Sequence, residues 1–168
     1  MSTLPNSTVV FLLTGFSDWG KSTLLKLLFG KAQKERFRSG ATETASTGHN
    51  FLVVPQSNDD LGSSRYQRDV IHRVSKCTSV LPPNFISAFC PTREPNNEST
   101  VIITNLYANC KIILMPIEHK WCGHAKLELP TLAAYYQHIP NLIIDSITSS
   151  TPNCPLQDLA GIIKKHAV

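Results

Sequence analysis

The segment Thr8-Val9-Val10-Phe11-Leu12-Leu13-Thr14-Gly15-Phe16-Ser17-Asp18-Trp19-Gly20-Lys21-Ser22 joins an apolar stretch to a short turn bounded by glycines. The consecutive apolar residues 9–13 predict a strand buried on both faces, because neither face of it can be turned toward water. Residues 21–30 carry four leucines at helical spacing and end in Gly30, a residue typical of helix ends. The segment therefore predicts a strand, a tight turn and a helix in succession.

Further apolar segments recur along the chain, with amphipathic stretches between them. We predict strands at 8–14, 50–54, 84–89, 110–117 and 141–147. We predict helices at 21–30, 64–76 and 98–107, from Pro130 to before Pro140, and after Pro155. This alternation predicts an α/β fold with three layers, doubly wound, in which about five parallel strands are flanked by helices.

Length and composition favour one compact domain over residues 1–168, since 168 residues with 42% hydrophobic content can bury a full core. The formal net charge of +4 suits an anionic ligand such as a nucleotide, and it allows a nucleic-acid partner without specifically indicating one. The five cysteines show no Cys-x-x-Cys spacing, which favours reduced thiols. With no apolar run of membrane-spanning length, we expect a cytoplasmic protein without membrane contact.

The turn has the spacing Gly-x-x-x-x-Gly-Lys-Ser of a phosphate-binding loop. Backbone N–H groups of such a turn point inward at phosphate oxygens. Lys21, expected to be exposed, is placed to reach the β and γ phosphates, and the Ser22 hydroxyl to bind Mg²⁺. Trp19 either covers the nucleotide or packs on the surface. The predicted nucleotide contacts are Gly15, Ser17, Asp18, Trp19, Gly20, Lys21, Ser22 and Thr23.

Through this motif the chain resembles the P-loop NTPase superfamily over about residues 8–30. The resemblance implies a doubly wound α/β domain that binds ATP or GTP with Mg²⁺. It also implies an acidic residue after a neighbouring strand, which holds the metal through a water. Asp59 and Asp60 are the candidates for metal or catalytic duty, and Asp59 is preferred for the metal. Capping of the following helix is an equally open role for them.

Two later strand ends carry further candidates. Arg93 could reach a bound phosphate as a catalytic residue, because loops after parallel strands border the ligand crevice; pairing with Glu94 at the surface is the alternative. Segment 118–124 could form a lid or contact the base. Its His119, Cys122 and His124 resemble fragments of a metal site, although the spacing lacks a second matched pair. No base partner singles out Cys90 or Cys122 as a nucleophile.

We weigh three functions. The first is a P-loop enzyme that hydrolyses a triphosphate, with ATP preferred to GTP, or transfers its γ-phosphoryl to an unidentified acceptor with Mg²⁺. The second is a nucleotide switch resembling small GTPases. The third is a regulatory NTP-binding subunit that contacts a protein partner through the basic residues Lys31, Lys34, Arg36 and Arg38.

The switch hypothesis has support and opposition. Residues 59–62 fit Asp-x-x-Gly, and Thr42, Thr44 and Thr47 lie in the polar connection 31–48, which we expect to be mobile without ligand. Against it, Glu118-His119-Lys120-Trp121 stands where the guanine signature Asn-Lys-x-Asp is expected. No carboxylate is therefore positioned there to accept the guanine amino group.

Overall fold

The computed structural model describes residues 4–77, 82, 84–120, 125–151 and 154–168. Within them a mostly parallel sheet of six strands is flanked by helices. The strands are β1 (Val9–Thr14), β2 (Thr42–Thr44), β3 (Asn50–Val54), β4 (Asn84–Phe89), β5 (Lys111–Pro116) and β6 (Leu142–Ile144). The helices are α1 (Lys21–Leu28), α2 (Asn58–Leu61), α3 (Ser63–Lys76), α4 (Ser99–Tyr107), α5 (Leu129–Tyr136) and α6 (Cys154–His166). The α/β class and the five predicted strands are confirmed.

The strand order is β2-β3-β4-β1-β5-β6, with β2 antiparallel to β3 and the other neighbours parallel. β1 is central and buried along its whole length, which explains why its sequence is apolar at consecutive positions. The chain passes from β1 to one side of the sheet, through β3 and β4, and then crosses β1 to reach β5. Ligands of parallel α/β sheets bind beyond the strand ends at such a reversal.

The carboxyl ends of the central strands lie in register. Thr14 at the end of β1 lies opposite Phe89 of β4 and Pro116 of β5. Gly15 N–H then donates to the Phe89 carbonyl at 3.1 Å, which extends the ladder by one residue. The turn at 15–20 therefore begins at the middle of this edge of the sheet.

Two short elements were missed by the sequence analysis. Strand β2 consists of Thr42-Glu43-Thr44, which is polar and only partly covered, so its pairing with β3 leaves no hydrophobic pattern. Helix α2 has four residues, too few for a helical period to be recognised. The predicted polar loop 31–48 thus contains a strand, and its buried Phe37 and Ala45 anchor it to the core.

Helix boundaries follow the expected chemistry. α1 is followed by Gly30 at φ +63°, a left-handed conformation that suits glycine. α5 ends at Tyr136, earlier than the predicted stop before Pro140. Among the described residues, no helix combines the length and apolar character needed to cross a membrane.

Candidate functional site

The turn between β1 and α1 presents an uncompensated helix N-terminus. Asp18 at φ +61° and Gly20 at φ +81° are both left-handed, which bends the chain sharply into the helix. No described side chain caps α1, and its first turn carries no acidic residue. The first N–H groups of a helix lack intrahelical partners and carry the positive end of its dipole. A helix N-terminus of this kind favours a negative charge beside it.

Lys21 is buried, with 6% of its surface exposed, contrary to our expectation of an exposed lysine. Its Nζ donates to the carbonyl oxygens of Gly15 and Phe16, each at 2.7 Å. The side chain is therefore folded back over the turn from which it starts. An ammonium group has three donors, so a phosphate oxygen can be bound by the third or can replace a carbonyl.

A cavity of 870 Å³ opens in front of this turn, at the upper end of the usual range for ligand sites. It brings together every predicted nucleotide contact except Gly15, namely Ser17, Asp18, Trp19, Gly20, Lys21, Ser22 and Thr23. Its remaining walls come from Leu24 and Leu27 of α1, Asp60, the residues Ile117, His119 and Lys120 after β5, and Pro155 of α6. Residues distant in sequence thus surround the helix N-terminus.

Trp19 supports the turn from within. It is buried, and its ring meets the Phe16 ring edge-on at 5.7 Å between centroids. A side-chain carbon at Gly15 would lie 3.2 Å from the Trp19 Cβ, so that Trp19 would have to shift by a few tenths of an ångström. Gly15 therefore allows Trp19 to pack closely on the turn, although it does not line the cavity. Trp19 forms part of the cavity wall and is not a surface residue.

Ser22 and Asp60 line the same cavity, whereas Asp59 lines a neighbouring one. The Ser22 hydroxyl donates to the Pro55 carbonyl at 3.2 Å, which ties the start of α1 to the chain after β3. In the described part of the chain, no group of three or more His, Cys, Asp or Glu could hold a metal. Mg²⁺ in triphosphate sites takes few protein oxygens and completes its shell with phosphates and waters. Ser22 with Asp60 fits that mode.

The two carboxylates share one partner, Ser57. Ser57 N–H donates to Asp60 Oδ2 at 3.3 Å, and Ser57 Oγ–H is within reach of Asp60 Oδ2 at 3.0 Å and of Asp59 Oδ1. Ser57 and Asp60 form a capping box at the start of α2. The expected capping of the following long helix is wrong, because α3 starts from Gly62 without a side-chain cap among the described residues.

A buried amide clasp holds α2 against the end of β4; we define it as Asn58, Asn97 and the backbone of Cys90. Asn58 accepts from Cys90 N–H at 2.7 Å and donates to the Cys90 carbonyl at 3.1 Å. Asn97 donates to the Asn58 carbonyl at 3.1 Å. The clasp fixes the position of both carboxylates. Sequence analysis missed it because an Asn beside Ser and Asp is an ordinary turn residue.

A second cavity of 780 Å³ lies on the other side of Ser17, which lines both. Arg93, Asp59 and Lys126 are among its walls. The Arg93 guanidinium lies 4.4 Å from the centroid of the Tyr135 ring, and Tyr135 Oη–H donates to the Thr92 carbonyl at 3.3 Å. Stacking on Tyr135 therefore orients Arg93, and the alternative pairing with Glu94 is not among the ion pairs of the described residues.

Cys90 lines the second cavity but is not poised as a nucleophile. Burial raises the pKa of its thiol to about 12, and the neighbouring Asp59 carboxylate acts in the same direction. The positive charge of Lys21 offsets only part of this effect. The thiol is neutral at physiological pH, so the thiolate required for attack is scarce. Cys122 lies outside the described residues.

The segment after β5 turns back on itself. Lys120 N–H donates to Ala125 O at 3.0 Å, and Leu127 N–H donates to Glu118 O at 2.7 Å. An ion pair of 3.1 Å between Lys126 and Glu118 closes the same turn. His119 and Lys120 line the first cavity. The rest of the predicted lid and of the His119, Cys122, His124 metal hypothesis, residues 121–124, lies outside the described residues.

The threonines of the switch hypothesis lie elsewhere. Thr42 and Thr44 are on the edge strand β2, and Thr47 contacts the His49 ring. None of the three lines the first cavity as the described residues define it.

No protein-family model, curated protein or solved structure matches the chain. Relatives therefore assign no role to any residue, and a function for this chain is supported by the chemistry of its two cavities.

Proposed function

We propose that the chain binds a nucleoside triphosphate, ATP in preference to GTP, together with Mg²⁺, and transfers its γ-phosphoryl group to water or to a small acceptor. One observation carries the proposal: the uncapped N-terminus of α1, with Lys21 and Ser22, lines an 870 Å³ cavity at the end of the central strand. The proposal includes a doubly wound, three-layer arrangement. The contacts of α1 with α6 and of α3 with α4 support it.

Each group at the cavity has a role in this proposal. The first N–H groups of α1 bind phosphate oxygens, and the dipole of the helix favours their charge. Lys21 Nζ exchanges one or both loop carbonyls for β and γ phosphate oxygens. Ser22 and Asp60 hold Mg²⁺, which neutralises charge on the phosphates when it is bound. Assigning the metal to Asp60 revises our preference for Asp59, because Asp60 shares the cavity with Ser22.

The neighbouring cavity gives the acceptor a place. The two cavities meet at Ser17 of the turn, so a molecule in the second one approaches the phosphate end of the first. In the transfer, an oxygen of water or of the acceptor hydroxyl bonds to the γ phosphorus, and its proton passes to solvent water. The bond from that phosphorus to the bridging oxygen breaks, and the nucleoside diphosphate leaves with the electron pair. Arg93, held by Tyr135, is the cation available to stabilise the charge.

Preference for ATP follows from the far end of the first cavity. Its walls there are Ile117, His119 and Lys120, and the nearby Glu118 is paired with Lys126. Among the described residues at this end, no carboxylate lines the cavity to accept hydrogen bonds from a guanine amino group. A carboxylate contact that would favour guanine is therefore lacking among these described residues, which supports binding of ATP at least as tight as that of GTP.

The roles of the two carboxylates are separable by substitution. Asp60→Asn should lower Mg²⁺-dependent release of phosphate from ATP on the order of tenfold, because a negative charge beside the metal is lost. Its amide oxygen can still accept from Ser57 N–H, so stability should change little. Asp59→Asn is the matched control and should leave the Mg²⁺ dependence of ATP hydrolysis as in the wild type. Turnover measured across a magnesium titration decides the point; equal turnover in wild type and Asp60→Asn would remove Asp60 from the metal site.

A further inference from the structure

Half of the positive charge is concentrated in two segments. Helix α3 and residues 31–40 together hold eight of the chain's 16 Lys and Arg. These are Arg65, Arg68, Arg73 and Lys76 on the helix, and Lys31, Lys34, Arg36 and Arg38 in the connection. With the two carboxylates Glu35 and Asp69, these segments have a net charge of +6. The net charge of the whole chain is +4, so the other residues contribute −2. The excess charge is therefore local.

The two segments are in contact. Gly40, at φ +76°, packs so closely on the end of α3 that a side-chain carbon there would lie 2.6 Å from the Lys76 carbonyl oxygen. Phe37 is buried and meets the Phe29 ring at 5.5 Å, while the flanking Arg36 and Arg38 are exposed. The burial of Phe37 thus holds two arginines at the surface. We call the exposed side chains of Lys34, Arg36, Arg38, Arg65, Arg68 and Lys76 the basic surface.

On α3 the exposed cations fall on one side of the helix. Arg65, Arg68 and Lys76, with His72, follow the spacing of one helical face, whereas Tyr66 and Val70 face the core. Arg73 is paired with Asp69 at 2.9 Å and Lys31 with Glu43 at 3.0 Å. None of the six residues of the basic surface forms an ion pair with another described residue. Their charges remain available to a partner.

We propose that the basic surface binds the phosphate backbone of a nucleic-acid duplex without regard to base sequence. Four of its six cations are arginine, whose planar guanidinium suits bidentate contact with phosphate. From Arg65 to Lys76 the helix is about 16 Å long. A duplex of that length carries roughly ten phosphate charges on its two strands together, and the helix faces only the fraction on its own side.

Other polyanions fit less well. Binding of a single strand relies on exposed aromatic side chains on which bases stack, but the aromatic residues within these two segments, Phe37 and Tyr66, are buried. An anionic membrane is favoured by several apolar side chains beside the cations. Ile71 is the one large apolar side chain of α3 that is strongly exposed, at 45%. The surface lines neither cavity, so this proposal stands or falls independently of nucleotide binding.

The experiment measures the fluorescence anisotropy of labelled DNA and RNA duplexes of about 20 base pairs, at salt concentrations from roughly 50 to 200 mM. The test variant is Arg65→Gln with Arg68→Gln. The matched control is Lys111→Gln with Lys164→Gln, which removes the same charge from two exposed lysines elsewhere. Thermal melting of each variant confirms that it is folded.

We expect the test variant to bind about tenfold more weakly and to reduce the slope of log affinity against log salt by about 1.8, the value for two lost phosphate contacts. The control should retain wild-type affinity. Equal weakening by both variants would show a general charge effect and contradict the proposed site. Absence of duplex binding at low salt would also contradict it. Tighter binding to phosphatidylserine vesicles or to an acidic peptide, lost in the same test variant, would assign the surface to that partner instead.

Discussion

The turn at 15–22 and the amide clasp, with Ser57–Asp60 beside it, occupy the same edge of the sheet and satisfy their polar groups differently. In the clasp, Asn58 forms hydrogen bonds with both Asn97 and the backbone of Cys90, and beside it the Asp60 carboxylate accepts from Ser57 N–H. At the start of α1 no described side chain caps the helix. A polar cluster that satisfies itself supports structure, whereas one that leaves donors facing a cavity is suited to a ligand.

The burial of a polar side chain also has a different cause in each of the two regions. Asn58 is fully buried because both ends of its amide are paired with the backbone of a neighbouring strand end. Lys21 is buried because it folds over carbonyls of its own turn, which a phosphate oxygen can replace. Removing either side chain costs interactions, but the loss should fall on stability at Asn58 and on ligand affinity at Lys21.

We expect the largest effect, a loss of ligand affinity, at the turn between β1 and α1. Lys21→Ala should weaken binding of Mg-ATP roughly a hundredfold, equivalent to about 2.7 kcal/mol, because a charged donor to the phosphates is lost. Since Lys21 also closes the turn, we expect a smaller loss of stability, on the order of 1 kcal/mol. Calorimetric titration and chemical denaturation measure the two quantities, with the exposed Lys111→Ala as control. A variant that binds Mg-ATP like the wild type would remove the turn from the site.

At the clasp we expect a smaller effect, and we expect it on stability and not on ligand affinity. Asn58→Ala leaves the Cys90 N–H buried without its acceptor and removes one of two donors to the Cys90 carbonyl, which keeps the bond from Thr92 N–H, so it should lower the free energy of unfolding by about 2 kcal/mol. Its effect on Mg-ATP affinity should be much smaller than that of Lys21→Ala, since Asn58 lines neither cavity. Urea denaturation checks the first part, with Asn105→Ala on the exposed side of α4 as control. Unchanged stability together with lost nucleotide affinity would reverse the assignment of roles.

Local sequence was sufficient where one stretch of chain determines the structure. The apolar run before Gly15 predicted β1, and similar runs predicted β3, β4, β5 and β6 in nearly their observed positions. The turn followed from glycine spacing. Capping by Asp60 was assigned to the wrong helix, because a carboxylate can reach back to Ser57 as easily as forward.

Features formed by distant residues could not be predicted. Hydrogen bonds join Asn58 to Cys90 and Asn97, which lie 32 and 39 positions further along the chain, and no local sequence pattern predicts these pairs. The stacking of Arg93 on Tyr135 depends on how the loop after β4 meets α5. The division of Asp59 and Asp60 between two cavities also depends on this packing, and two adjacent carboxylates in a sequence do not reveal it.

The most direct test of the central claim is calorimetric titration of the wild-type chain with ATP and with GTP, each with and without Mg²⁺. We expect one site per chain and tighter binding when Mg²⁺ is present. The dissociation constant for ATP should be no larger than that for GTP and should fall within the range of about 1 μM to 1 mM common for enzyme substrates. A strong preference for GTP would contradict the assignment of the base end of the cavity and support a nucleotide switch. Absence of binding by both nucleotides to a folded chain at about 1 mM would contradict the proposed nucleotide site.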